Sequence, residues 1–199
     1  VLNAHARTLT DRAVQPIGRA LARLGLTPNA LTTAGLLVTL AGVAVVVSGR
    51  PVVGATVMAA GLVLDAFDGA VARLSGRSTL LGAFYDSVAD RVADVAMLGA
   101  LVWLVLPSPL GFAVGMTALA TALLTSYVRA KAESLGLTAT VGVLERAERV
   151  VIVLLGLWLD LVAVALWVLA IGGVVTVLQR VVVVWRQARA LPSTEAEGR

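Results

Sequence analysis

The chain has 199 residues, of which 59% are hydrophobic and only 14% charged, a balance that excludes both an ordinary soluble domain and a long disordered chain. It contains no cysteine, which excludes disulfides, thiol nucleophiles and zinc–thiolate sites. The net charge is +4, but the basic residues sit where they would meet anionic lipid and phosphates, not nucleic acid.

Taken in chain order, residues 3–24 alternate Arg7, Arg12, Arg19 and Arg23 with Leu9, Ala13, Ile17, Leu21 and Leu24. Apolar spacings of three and four predict an amphipathic segment lying on a membrane surface, kinked or restarted at Pro16. No compact apolar run in this stretch reads as a secretory leader. Leu26-Thr27-Pro28-Asn29 is a turn able to cap the next helix. Apolar runs then predict six spans, over about 31–48, 52–73, 80–105, 110–131, 147–159 and 162–184. Residues 132–146 form a connection, and 187–199 read as a polar, disordered tail. The expected architecture is an all-α integral membrane protein: a single domain over 1–186, with six transmembrane helices and an N-terminal amphipathic juxtamembrane helix.

Fourteen of the sixteen Lys and Arg residues fall on one side of this layout, with Arg50 opposite and Arg91 inside a span. The positive-inside bias therefore places both termini in the cytoplasm of a multi-pass cell-membrane protein. The same map puts Asp65 and Asp68 near the cytoplasmic end of the second span, and Asp86 and Asp90 near the start of the third. An intramembrane carboxylate costs roughly 2.5–3.5 kcal/mol, so four of them need partners and argue for function. Spacings of three and four set each pair on one helix face. Four hard oxygen donors suit a divalent cation, magnesium or manganese. Simple neutralisation by Arg73 and Arg91 would leave excess negative charge. Asp94 extends the same face but lies ~12 Å along the helix from Asp86, at ~1.5 Å per residue, and is expected to be structural. Intramembrane aspartates also serve ion-coupled transporters, the competing reading from another class.

The fixed positions Asp65-x-x-Asp68-Gly69-x-x-Ala72-Arg73, eight residues, Gly82-x-x-x-Asp86-x-x-x-Asp90 match the full signature of the CDP-alcohol phosphotransferases, which this stretch resembles. That resemblance implies transfer of a phosphatidyl group from CDP-diacylglycerol to an alcohol, with release of CMP. It implies two magnesium ions (manganese as substitute), with Asp65 and Asp86 bridging, Asp68 completing the first and Asp90 the second. Asp90 would also be the catalytic base. The resemblance assigns CDP-lipid contacts to Pro28, Asn29, Ala30, Leu31, Gly69, Arg73 and Thr79, and implies a homodimer among membrane lipids. On the residues themselves, Gly69 and Ala72 leave room for a phosphate, and Arg73 is a planar donor to its oxygens.

Several basic residues at the cytoplasmic ends of later spans could serve lipid headgroups, or build an anion pocket. The second reading favours a phosphorylated acceptor. Ser126 to Leu137 and Glu145 to Arg149 resemble actinobacterial phosphatidylinositol phosphate synthases, in which three basic residues hold the phosphate of inositol phosphate. The matching positions are Arg129, Arg149 and Arg180, with Arg186 or Arg189 as substitutes for the last. Inositol phosphate is thus the favoured acceptor, and glycerol phosphate the rival.

Overall fold

The computed structural model describes residues 25–75 and 79–190, together with Ala20 and Arg23. The amphipathic segment expected over 3–24 lies, but for those two residues, outside them. The described residues form seven helices: α1 (Pro28–Val47), α2 (Pro51–Ala66), α3 (Asp68–Ser75), α4 (Leu80–Val105), α5 (Pro109–Ser134), α6 (Arg146–Trp158) and α7 (Val162–Ala190). No strand occurs among the described residues. Three of the helices, α1, α5 and α7, are long and apolar enough to cross a membrane unaided. Of the others, α4 is as long as α5 but carries Asp86, Asp90, Arg91 and Asp94, and α2 and α6 have 16 and 13 residues.

Local chemistry sets the helix starts. The Thr27 side chain accepts the Ala30 N–H at 3.2 Å, with Pro28 as the first helical residue of α1. The Ser108 hydroxyl does the same for Gly111 at 3.1 Å, ahead of Pro109. Glu145 and Glu148 close a capping box on α6. Gly49, at φ 89°, supplies the left-handed turn between α1 and α2.

The chain divides into two compact units at Met97–Leu98, inside α4. In the first, α1 packs against α2 with backbone almost touching backbone. A Cβ added to Gly42 would lie 2.6 Å from the Met58 nitrogen and 2.7 Å from the Gly54 oxygen. One added to Gly61 would lie 2.7 Å from the Gly35 oxygen. Only glycine permits this approach.

The span expected over 52–73 is not one helix. It breaks at Phe67, whose N–H turns back to the Leu64 oxygen at 3.2 Å, and restarts at Asp68. An acidic residue in the first turn of α3 suits the positive end of the helix dipole. The spacing of Asp65 and Asp68, which fits one face of a single helix, hid this interruption.

In the second unit α7 packs on both α5 and α6. Buried hydroxyls bond back to their own helices: Thr125 to the Thr121 oxygen at 2.7 Å, and Thr176 to the Gly172 oxygen at 2.8 Å. Residues 187–190, expected to belong to the tail, are helical. α7 continues to Ala190 because Gln187 bonds to Thr138 and Arg189 stacks on Trp185 at 3.9 Å. Residues 191–199 lie outside the described ones.

Candidate functional site

Asp65 sits in the last turn of α2, Asp68 opens α3, and Asp86 lies in the second turn of α4. One carboxylate oxygen from each comes within 4.8 Å of the other two. Two oxygens across a divalent ion stand about 4–5 Å apart, at bond lengths of 2.0–2.6 Å, so this trio fits one hard cation. All three residues are half-buried, which leaves a face for further ligands. Hard charged oxygens favour magnesium or manganese over softer metals.

Asp90 lies one turn beyond Asp86 and outside this trio; its carboxylate stands 3.6 Å from the Arg91 guanidinium. Asp94 is buried, in keeping with a structural role.

The supports of the trio lie in α1. The Thr32 hydroxyl, itself buried, makes a short hydrogen bond to Asp68 Oδ2. The next residue, Thr33, meets the Tyr85 hydroxyl at 2.8 Å, and Tyr85 directly precedes Asp86. Gly35 leaves space for Asp65: a Cβ there would lie 3.1 Å from the Asp65 Cβ. Sequence reasoning passed over Thr32, Thr33 and Gly35. The available signal was a pair of hydroxyls one turn into an otherwise apolar span.

Among the expected CDP-lipid contacts, Pro28, Asn29, Ala30 and Leu31 form the first turn of α1, with Leu31 buried. Thr79 starts α4, its hydroxyl accepting the Gly82 N–H at 3.0 Å. The structure brings Thr79 and Asn29 together around Gly82: a Cβ there would lie 3.1 Å from Thr79 Oγ1 and 3.3 Å from Asn29 Oδ1. Gly69 and Arg73 both belong to α3, Gly69 directly after Asp68.

In the second unit, Arg149 and Arg180 are 6% and 3% exposed. Cations that snorkel to lipid headgroups would keep their charged ends in water, and these do not. Arg180 is held by two backbone carbonyls, Nε donating to Val141 and Nη1 to Thr125, both at 2.8 Å. That fixes the plane of the guanidinium while leaving other N–H groups for a ligand. Its charged neighbours are Arg129, Glu145, Arg149 and Glu133. Arg129 is exposed and pairs with Glu133 at 2.9 Å. The substitutes for Arg180 are placed differently, Arg186 being exposed and Arg189 stacked on Trp185.

The connection between α5 and α6 is tied down the same face of α7. Thr176 accepts the Leu144 N–H at 3.0 Å, Arg180 holds Val141, and Gln187 accepts the Thr138 N–H at 3.0 Å and donates to its oxygen at 2.7 Å.

Comparison with known proteins identifies the family. The family model for CDP-alcohol phosphatidyltransferase matches residues 25–186. A phosphatidylinositol phosphate synthase of Mycobacterium marinum is 36% identical over 193 residues, which is 90% of this chain and 82% of the relative. A crystal structure of the Mycobacterium tuberculosis phosphatidylinositol phosphate synthase with CDP-DAG bound is similar at a TM-score of 0.82 and 34% identity, covering 87% of this chain and 94% of that one. A structure of the same mycobacterial enzyme with manganese and citrate has a TM-score of 0.80 and 35% identity, covering 86% and 88%. With its helices, its signature and most of its length accounted for in this way, the chain belongs to the CDP-alcohol phosphatidyltransferase family.

Proposed function

We propose that this protein transfers the phosphatidyl group of CDP-diacylglycerol to inositol phosphate, giving phosphatidylinositol phosphate and CMP. The observation that carries the choice of acceptor is the pair of buried guanidiniums, Arg149 and Arg180, with Arg129 among their neighbours. Buried cations with planar donors are suited to a phosphate, which serine, ethanolamine and choline lack. Relatives of which the chain covers 82% and 95% are named phosphatidylinositol phosphate synthase.

Asp65, Asp68 and Asp86 hold the divalent ion, and Asp90 completes a second. When bound, such ions supply charge that neutralises a pyrophosphate and acidifies a nearby hydroxyl. Pro28 to Leu31, Gly69, Arg73 and Thr79 hold the CDP-lipid. The acceptor hydroxyl attacks the phosphorus that bears diacylglycerol, the bond from that phosphorus to the CMP oxygen breaks, and Asp90 takes the hydroxyl proton. Arg129, Arg149 and Arg180 orient the acceptor through its phosphate, which turns a bimolecular encounter into a positioned one. Around this chemistry we place a single six-span membrane domain with its basic ends, and the aspartates, on the cytoplasmic side. A homodimer follows from the family resemblance.

The deciding experiment is headgroup analysis of purified protein given magnesium, CDP-diacylglycerol and one acceptor at a time. Inositol phosphate should support CMP release and yield phosphatidylinositol phosphate. Release with glycerol phosphate alone would reassign the acceptor. In the same assay, Arg149→Ala is expected to raise the KM for inositol phosphate at least tenfold while changing that for CDP-diacylglycerol less than threefold, since an Arg–phosphate contact in a dry site contributes about 1.5–3 kcal/mol. Equal changes in both would return Arg149 to a lipid-facing role.

A further inference from the structure

We infer that Thr32 is a positioning residue of the metal site, its hydroxyl fixing which oxygen of Asp68 faces the ion. The inference rests on the assignment of Asp68 as a metal ligand and names a residue outside the aspartate signature.

The Asp68 carboxylate is held from two sides, by the Gly69 backbone N–H of its own helix and by Thr32 of α1. Asp68 is the first residue after the break at Phe67. A carboxylate there can rotate about its side-chain bonds and present either oxygen. The Gly69 N–H limits that freedom from within α3, and Thr32 limits it from α1 by engaging Oδ2. Thr32 lies in α1, buried, and donates to Asp68 Oδ2 across 36 residues of sequence. The same hydroxyl also has the Pro28 oxygen at 3.1 Å, the usual partner of a helical threonine four residues on. One hydroxyl carries one proton, so the Asp68 bond is made in competition with a ready alternative within its own helix. A carboxylate wins because an ionised acceptor makes the stronger bond.

The geometry has a second part that points the same way. Thr33 spends its proton on the Asn29 oxygen at 2.7 Å, which leaves the Tyr85 hydroxyl to donate to Thr33. Adjacent threonines of α1 thus tie down Asp68 of α3 and the neighbour of Asp86 in α4. The first of these bonds reaches a ligand directly and the second only through the backbone, so Thr32 should matter more to the ion.

Outer groups that orient a ligating carboxylate typically change metal affinity 10–100-fold. The test is a titration of detergent-purified protein with Mn2+, the free ion being counted by electron paramagnetic resonance with no substrate present. Thr32→Val, which keeps the shape and removes the hydroxyl, should weaken Mn2+ binding at least tenfold, whereas Thr32→Ser should restore it to within threefold of wild type. Tyr85→Phe should change it less than Thr32→Val does. Undiminished affinity in Thr32→Val, or equal losses in Val and Ser, would overturn the inference. If Thr32→Val does not fold, Thr32→Ala and Thr32→Ser are compared instead, and equal affinities overturn it. Asp68→Asn separates this from the underlying assignment: affinity unchanged in Asp68→Asn sinks the ligand role itself, while affinity lost there but kept in Thr32→Val sinks only Thr32.

Discussion

Asp90→Asn is expected to lower CMP release by about 10²–10⁴-fold, the usual contribution of a positioned general base, while Mn2+ binding falls far less. The proposed function gives Asp90 two separable duties, ligand and base. The three oxygens of Asp65, Asp68 and Asp86 lie close enough together to hold one ion without Asp90. An amide at position 90 keeps the shape and one oxygen but cannot accept the acceptor's proton at neutral pH. Single-turnover CMP release and Mn2+ titration on the same preparation would check it. Persistent activity in Asp90→Asn would remove Asp90 as the base. If activity and Mn2+ binding were lost together, and Asp65→Asn behaved alike, Asp90 would be a ligand only.

Gly61→Val is expected to prevent accumulation of folded protein, and Gly35→Ala to yield folded protein with impaired metal binding. At Gly61 a Cβ would meet the Gly35 oxygen at 2.7 Å and the Thr39 nitrogen at 2.6 Å, both backbone atoms that cannot turn aside. Over-packing of this kind costs about 1–3 kcal/mol per position, and more where the obstacle is backbone and the added group is branched. At Gly35 the methyl of alanine, smaller than a valine side chain, would meet the Gly61 oxygen at 2.8 Å, the Asp65 nitrogen at 2.9 Å and its Cβ at 3.1 Å, so relief displaces the Asp65 segment along with α2. Yield of monodisperse protein in detergent and Mn2+ affinity read the two effects separately. Wild-type yield for Gly61→Val would show that the helices can part without penalty.

Much of this was legible in the sequence, for identifiable reasons. Apolar runs bounded by Pro28, Pro51 and Pro109 marked helix starts to within a few residues, because proline at the first turn leaves little ambiguity. The aspartates stood out because charge is costly in an apolar helix. Periodicity could not show the break at Phe67, since Asp65 and Asp68, three residues apart, also fit one face of a continuing helix. Residues 187–190 are helical where a tail was expected because Gln187 and Arg189 read as solvated, whereas Gln187 has the Thr138 backbone to bond and Arg189 an aromatic face. Thr32 shows the limit most plainly. Its partner lies 36 residues away, and a threonine in a span ordinarily bonds to its own helix. Arg180 could be matched to an anion site, but not the two carbonyls that hold its plane.

The glycines of α1 and α2 share one interval: Gly35 and Gly42 are seven residues apart, and so are Gly54 and Gly61. Equal intervals give the antiparallel pair a second place to dock, one heptad along, with Gly42 opposite Gly61. That alternative would carry Asp68 past Thr32 by about 10 Å, at 1.5 Å per residue. The three-residue turn Ser48-Gly49-Arg50 is too short to take up such a slip. Lengthening this turn by about seven residues would therefore release a register choice that the glycines alone leave undecided, and the aspartates would separate with the helices still paired.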